Sequence, residues 1–393
     1  MKKVLYITYD GLADPLGQSQ ILPYIKGLSS KELQFTILSF EKEKSLKLYV
    51  QEIDKSLFKK NISWIKVKYH KGSVFLNLYD LILALFLVLI QSKKYDIILA
   101  RSYVAGTLGV ILKKIMRSKF VFDMRGFWPE ERIEGGLWTR NNLKYNIMKY
   151  IETILLKKAD HIITLTQKSK IILLQDPYNQ PDKHITVIPT CVDQDKFYYA
   201  HKNNHRDSAL TLCYSGSLGT WYCLDEMIEF FTTLKKYYPA ASLQLLINWT
   251  SWDSNQEEIN QKLSRHRDIK VKSCSYDELP KLMSNVHIGF YFIKPTFSKQ
   301  ASCPTKLGEF LAMGLPVITN RGIGDCDEWI ENERLGILVN DFSQNAYKNA
   351  IIQLKPFLED KEIINRCIQF SNKHLSLKKG IQQYKNILLA YGN

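Results

Sequence analysis

Short apolar segments alternate with longer amphipathic ones along this chain, and the alternation runs through twice. In the first pass Lys3–Tyr9 leads into Ser19–Ser29, and Phe35–Phe40 follows. Ile62–Val67 then leads into Val74–Gln91, Asp96–Ala100 into Ala105–Met116, and Lys119–Phe122 toward Asn142–Lys158. His161–Thr166 and Thr186–Pro189 read as two more strands. Within Asn142–Lys158, Leu143, Ile147, Ile151, Ile154 and Leu155 share one helical face. Polar Tyr198–Ser208 reads as a linker, after which the pattern restarts. Strands at Leu210–Ser215, Ser242–Ile247, Ile269–Ser273, His287–Phe292 and Pro316–Thr319 are separated by Leu224–Tyr237, Asn255–Arg265, Tyr276–Asn285 and Thr305–Met313. Strands alternating with helices form parallel sheets with crossover helices. A single core stops growing near ~250–300 residues, and the chain has 393. The expectation is therefore α/β with two doubly wound domains, 1–190 and 191–370, and a last helix within 371–393 that crosses back to the first domain. In such sheets ligands sit past the carboxyl ends of the strands, so a cleft between two facing domains is the expected site.

Charge narrows the partners. Lys plus Arg number 54 against 39 Asp plus Glu, a surplus of 15. Lys55, Lys59, Lys60, Lys66, Lys68 and Lys71 fall in seventeen residues with no acid, beside Trp64 and Tyr69. Lys113, Lys114, Arg117 and Lys119 form a second cluster, and Val74–Ile90 is apolar. Basic, aromatic and apolar sequence together suits an anionic membrane surface; the competing reading makes Val74–Ile90 a core helix. No nucleic-acid partner is expected, because stacking and groove-reading motifs are absent. The most apolar stretch, Leu81–Ile90, is ten residues, short of the ~20 that span a bilayer. Met1–Asp10 is too short and polar for a signal peptide, and the seven cysteines are scattered without a Cys-x-x-Cys pair. A cytoplasmic protein, peripheral on the inner face of the cell membrane, is the expectation.

Three loops after strands carry the candidate chemistry. Asp10–Gln20 contains Gly11, Gly17 and Gln18 ahead of a helix expected at Ser19 or Gln20; it is either a ligand loop or a plain strand–helix turn. Phe120–Arg132 gathers Asp123, Arg125, Glu130 and Trp128, charged groups beside aromatics of the kind that meet a sugar or phosphate. Lys294–Asn320 is the densest block. Thr305 is placed to cap a helix in which Glu309 lies one turn in, and a carboxylate there can accept from vicinal hydroxyls of a ribose. Lys299 and Lys306 can neutralise a diphosphate. No dinucleotide fingerprint follows Leu212–Ser215, since Gly216-Ser217-Leu218-Gly219 has the wrong spacing. Asp193/Asp195 and Asp325/Asp327 are degenerate as metal motifs; the latter pair reads as caps of a helix over Glu328–Asn332. No metal site is expected.

These blocks, in this order, resemble the retaining glycosyltransferase family four, which has the GT-B fold of two Rossmann-like domains facing a cleft. Glu309-Phe-Leu-Ala-Met-Gly-Leu-Pro-Val-Ile is similar to the second half of its Glu-x7-Glu signature. Ala159–Thr166, Ile188–Phe197 and Tyr214–Leu218 resemble three of its other segments, and Gly11–Tyr24 resembles a bacterial surface-polysaccharide branch. The resemblance implies retaining, metal-independent transfer with no cofactor, from a nucleotide sugar held by the second domain to a glycan or polyprenyl-diphosphate-linked acceptor held by the first. It implies that Glu309 holds the donor ribose, that Gly216, Ser217 and Leu218 approach the diphosphate with Thr305, and that Gly322 and Gly324 line the nucleotide. On the acceptor side it points to Gly11, Gly17, Gln18, Arg101 and Glu130.

The departures are specific. The first Glu of the signature falls on Ala301, the basic pair of the second-domain loop on Ser217 and Tyr222, and the sugar-contacting His on Arg125. Arg125, Lys299 and Lys306 are expected to replace the missing cations, and Arg125, Lys306, Glu309 and Asp123 to form the catalytic set. Two other classes stay open at this point: a GT-B nucleotide-sugar epimerase, and an inactive nucleotide-sugar-binding subunit.

Overall fold

The computed structural model describes residues 1–42, 47–70, 74–199, 209–247 and 256–391. Residues 200–208 of the expected linker, Lys71 and the expected helix start at Asn255 lie outside the described residues. The chain divides into unit 1, Met1–Pro189 with Leu377–Asn393, and unit 2, Thr190–Ser376.

Unit 1 is built on seven parallel strands: β1 (Lys2–Thr8), β2 (Leu33–Glu41), β3 (Ser63–Lys68), β4 (Ile97–Arg101), β5 (Lys119–Asp123), β6 (His161–Thr164) and β7 (Ile185–Val187). Their order in the sheet is β3-β2-β1-β4-β5-β6-β7. Its helices are α1 (Pro15–Gln20), α2 (Leu22–Leu28), α3 (Lys47–Phe58), α4 (Val74–Leu89), α5 (Ser102–Met116), α6 (Trp128–Glu134), α7 (Leu143–Lys158) and α8 (Gln167–Leu174). Every residue of β4 is buried, as a strand covered by helices on both faces requires. The order reverses direction at β1, so right-handed crossovers put α2 and α3 on one face and α4, α5 and α7 on the other. α5 packs against both α4 and α7.

Unit 2 repeats the plan with six parallel strands: β8 (Thr211–Ser215), β9 (Ser242–Ile247), β10 (Ile269–Ser273), β11 (Ile288–Phe290), β12 (Val317–Asn320) and β13 (Gly336–Val339), ordered β10-β9-β8-β11-β12-β13. Its helices are α9 (Leu224–Lys235), α10 (Gln256–Leu263), α11 (Leu279–Met283), α12 (Thr305–Ala312), α13 (Cys326–Asn332), α14 (Gln344–Ile352), α15 (Leu354–Glu359) and α16 (Ile363–His374). Phe230, Phe290, Phe292 and Tyr347 stack edge-on and tilted in its core. The last helix, α17 (Leu377–Ala390), belongs to unit 1, where it packs on α2. Residues 371–376, expected with that helix, stay in unit 2, because α16 packs on α12 and Ser376 bridges to Val192.

The first loop departs from expectation. The helix begins at Pro15, not at Ser19, because a proline with its fixed φ is favoured at the first helical position. Pro23 instead sits in the first turn of the next helix, α2. Gly17 thus lies inside α1, against Leu12, whose Cα would be 2.7 Å from any Cβ placed there. The expected shared face of α7 is covered only toward its carboxyl end: Leu155 is buried, as are Glu152 and Leu156, whereas Leu143 and Ile147 are exposed.

Candidate functional site

In unit 2, the ends of β8, β11 and β12 bring the site together. Asn320, the last residue of β12, locks the segment after β11 in place. Its Oδ1 accepts from the Ile293 N–H at 2.8 Å, and its Nδ2 donates to the Ile293 carbonyl at 2.8 Å. That segment carries Tyr291. After β8 the chain turns at Gly216, whose φ of +112° is open to glycine at little strain. The Tyr214 hydroxyl donates to the Ser217 carbonyl at 2.6 Å and holds the loop, and Tyr222 meets Tyr214 edge-on.

Lys306 enters this space from the first turn of α12. Pro304, not Thr305, occupies the N-cap position, and Thr305 is the first helical residue. Proline offers no side-chain cap, and the chain it stiffens is already extended at ψ 127°. Lys306 is buried, with its Nζ 3.6 Å from the Tyr222 ring centroid, 3.7 Å from that of Tyr214 and 5.7 Å from that of Tyr291. A Cβ on Gly216 would stand 3.5 Å from that Nζ. Among the described residues neither Lys306 Nζ nor the buried Ser215 Oγ has a hydrogen-bond partner. Ring faces attract an ammonium electrostatically but accept none of its three hydrogen bonds in ordinary geometry.

Glu309, one turn further along α12, is also buried. Burial pushes its carboxyl up to about 7, against the pull of Lys306 and Lys196. Burial likewise drives the Lys306 ammonium well below its ordinary value, with Glu309 opposing. Lys196 itself is ion-paired to Asp277 and stands 3.8 Å over the Tyr276 ring. Lys299 is buried in a 3-10 turn, 3.8 Å over the Trp221 ring.

The Gly322 and Gly324 amides are already engaged. Gly322 N–H donates to both Asp327 carboxylate oxygens, at 3.0 and 3.2 Å, and Gly324 N–H to the Lys299 carbonyl at 2.8 Å. The helix expected over Glu328–Asn332 starts earlier, at Cys326, so Asp327 lies within α13 and only Asp325 takes the N-cap position, without a side-chain cap bond. Among the described residues no three His, Cys, Asp or Glu side chains stand together as metal ligands.

Unit 1 has its own charged cluster. Arg101 and Asp123 end neighbouring strands in register. Asp123 Oδ2 lies 3.7 Å from Arg101 Nη1 and accepts from the Tyr384 hydroxyl at 2.9 Å. Its Oδ1 lies 3.8 Å from Arg125 Nη1, and Arg101 Nε lies 3.6 Å from Asp10. Arg125 has a left-handed φ of +62°. Burial works against its charge, but the Asp123 carboxylate together with Tyr384, Tyr24 and Tyr6 outweighs this and holds Arg125 above the ordinary arginine range. Glu130 sits apart from this cluster: its Oε1 accepts from Lys149 at 2.9 Å and from the Tyr145 hydroxyl at 3.2 Å. Gln18 closes its own loop by donating to the Ala13 carbonyl at 2.9 Å, and Gly11 N–H donates to Asp14 at 3.3 Å.

The sequence singles out Lys306, Glu309, Arg125 and Asp123 as candidates, but not the rings of Tyr214, Tyr222 and Tyr291 as a group. Tyr384 was missed as well. It is 261 positions from Asp123, and nothing local in the sequence links the two.

Comparison with known proteins agrees with this architecture. Residues 24–196 match the family described as Glycosyltransferase Family 4, and residues 195–374 match Glycosyl transferases group 1. An uncharacterized glycosyltransferase of Methanocaldococcus jannaschii is 20% identical over 253 residues, which span 63% of this chain and 63% of that protein. Sucrose-phosphate synthase from Thermosynechococcus elongatus superposes with a TM-score of 0.74 at 13% identity, over 99% of this chain and all of that one. HepE of Anabaena, solved with UDP and glucose, gives 0.72 at 16% identity over 99% of both chains. WaaG, a glycosyltransferase of lipopolysaccharide biosynthesis, gives 0.67 at 15% identity over 98% of this chain and 99% of that one. The fold is GT-B, and the chain belongs to the GT-B glycosyltransferases of the family 4 type.

Proposed function

We propose that the protein is a retaining, metal-independent glycosyltransferase of cell-surface polysaccharide biosynthesis (capsule, exopolysaccharide or O-antigen). It moves a sugar from a nucleotide-sugar donor to a glycan or polyprenyl-diphosphate-linked acceptor, in the cytoplasm at the inner face of the cell membrane, and needs no cofactor. The observation that carries this reading is Lys306: a buried ammonium between tyrosine rings, beside a glycine turn, with no hydrogen-bond acceptor among the described residues. Leaving a buried charge without hydrogen bonds is expensive, and a diphosphate supplies the oxygens it lacks. The neighbour solved with UDP and glucose supports a nucleotide-sugar donor.

Unit 2 holds the donor. Glu309 accepts from the ribose hydroxyls, Gly216, Ser217, Leu218 and Thr305 approach the diphosphate, and Lys299 and Lys306 neutralise it. Gly322 and Gly324 line the nucleotide through their backbone shape, because their amides are bound within the protein. Unit 1 holds the acceptor, with Arg125 as a fixed cation, Asp123 and Glu130 as its carboxylates, and Gly11, Gly17, Gln18 and Arg101 shaping that side. The departing diphosphate takes the proton of the attacking hydroxyl on the same face of the sugar, and the protein contributes position and fixed positive charge.

A panel of UDP-, GDP- and dTDP-sugars scored by thermal stabilisation tests the donor, since a specific ligand stabilises by mass action. One base family is expected to raise the melting temperature, and a flat panel removes the donor reading. NMR of the product then reads the anomeric configuration, and inversion overturns the same-face mechanism. Loss of turnover in EDTA refutes metal independence. Epimerised donor in the absence of any acceptor would move the assignment to an epimerase.

A further inference from the structure

The helix layer formed by α4, α5 and α7 on one face of unit 1 has an unusual outer surface. On α4, Asp80, Ala84 and Val88 turn inward, while Tyr79, Ile82 and Phe86 face out, the last two each 58% exposed. Ile115 continues this apolar surface on α5. Leu143, Ile147 and Tyr150 repeat the pattern at helical spacing on α7, with Tyr150 69% exposed. Because α5 packs against both neighbours, these side chains belong to one layer. Large exposed apolar surfaces on a folded protein mark interaction sites.

The charge on this layer has a single sign. Across α4, α5 and α7 there are two carboxylates, Asp80 and Glu152, and both are buried. Asp80 faces inward and accepts from the His70 backbone N–H at 2.9 Å, and Glu152 is bonded to Lys149 and Tyr103. The three helices cross over between parallel strands, so their carboxyl ends lie at the same edge of the sheet. Exposed cations cluster at that edge: Lys93 and Lys94 after α4, Lys114 on α5 and Arg117 at its C-cap, and Lys157 and Lys158 on α7, with Asp96 the exposed acid beside Lys94. Lys113 and Lys119 nearby are neutralised by Asp160. In the cluster expected at Lys55–Lys71, Lys66 is paired with Asp54.

We infer that the outer face of α4, α5 and α7 docks on an anionic phospholipid bilayer. Ile82, Phe86, Ile147 and Tyr150 enter the headgroup boundary, and the six cations meet lipid phosphates at its margin. No described helix is long and apolar enough to cross the membrane. The inference deepens the proposed membrane-face location and rests on that part of it, not on the transfer chemistry.

The test is flotation of the full chain with phosphatidylcholine vesicles, with and without phosphatidylglycerol, at low and high salt. The protein is expected to float with the anionic vesicles and to be released by salt. Lys114→Gln, Arg117→Gln, Lys157→Gln and Lys158→Gln together should weaken partitioning by roughly fivefold per charge. Ile82→Asp with Phe86→Asp should abolish it. Both variants should keep the parent's melting temperature and its stabilisation by nucleotide sugar, which separates lost docking from lost folding or lost donor binding. The inference is overturned if the parent stays with the soluble fraction, binds neutral vesicles equally well, or binds no worse after either set of changes. Sedimentation velocity covers a second copy as occupant: a parent dimer that becomes monomeric on Ile82→Asp with Phe86→Asp, without vesicle binding, also overturns it.

Discussion

Lys306→Met removes an ammonium and leaves an apolar chain of similar reach among the rings of Tyr214, Tyr222 and Tyr291. Two effects oppose each other in the unliganded protein. The close ring faces stabilise the charge by about 0.5–2 kcal/mol each, while burial without a hydrogen-bond acceptor costs several kcal/mol. That cost is visible as the downward displacement of the Lys306 ammonium. Methionine restores about 0.3–1.5 kcal/mol of sulfur–aromatic contact and carries no buried charge. The unfolding free energy is therefore expected to change by less than about 1.5 kcal/mol, the range of a volume-conserving swap. Donor binding should change far more. A lost charge-assisted bond to a diphosphate oxygen costs about 1.5–3 kcal/mol, or roughly tenfold to 150-fold in Kd. Calorimetric titration with the stabilising nucleotide sugar, run beside urea unfolding of both proteins, reads the two quantities separately. An unchanged Kd refutes the diphosphate assignment. A loss of more than about 3 kcal/mol in unfolding free energy shows that Lys306 is a structural group, whatever happens to binding.

Glu309→Gln should weaken donor binding by a similar factor and also change the pH profile of stability. Burial raises the Glu309 carboxyl to about 7, so between its ordinary value and about 7 the native state keeps a proton that the unfolded chain has released. Stability from this group is present at low pH and is lost as pH rises through that window, by at most about 1.4 kcal/mol per pH unit. Lys306, displaced downward, acts in the opposite sense, so the variant's urea-derived stability should fall less from pH 5 to 7.5 than the parent's; parallel curves rule the carboxyl out. Tyr384→Phe removes the 2.9 Å bond to buried Asp123 and should cost about 1–3 kcal/mol in unfolding free energy; no loss means that the arginines alone satisfy Asp123. Gly17→Ala forces a Cβ against Leu12, whereas Gly219→Ala meets nothing within 4 Å. The first is expected to destabilise by about 1–3 kcal/mol and the second by less than about 0.5 kcal/mol; equal melting temperatures would contradict the packing.

The two sheets were legible because parallel strands buried on both faces read as uninterrupted apolar runs, as in Ile97–Arg101. Individual helix starts were less so. Pro15 and Pro304 each alter where a helix begins, and the effect depends on the preceding loop rather than on periodicity. The apolar positions of α7 were visible, but not that Leu143 and Ile147 lie outside. Period alone says which residues share a face, and only the packing of α7 beside α5 says which face is covered. Tyr384 could not be paired with Asp123 from the sequence at all, since the contact exists only because α17 packs back onto α2 in unit 1.

The departures from the family pattern on the loop after β8 become intelligible once the geometry is known. The resemblance places cations at 217 and 222 on the loop after β8, and this chain has Ser217 and Tyr222 there. Taken one position at a time, these read as losses of phosphate-binding groups. In the structure Tyr222 is the ring nearest Lys306 Nζ, at 3.6 Å, so the loop contributes the ring face that holds a cation delivered from α12. The two changes are then one arrangement, and they are expected to couple. Tyr222→Leu removes a ring without touching the charge, so on its own it should both weaken donor binding and push the ammonium further down. Combined with Lys306→Met, it should add almost nothing to the loss of donor affinity, because the ring then has no charge to hold. A double-mutant cycle on donor Kd measures this directly. Additive losses would mean that Tyr222 contacts the donor itself, and that the loop and the helix changed independently.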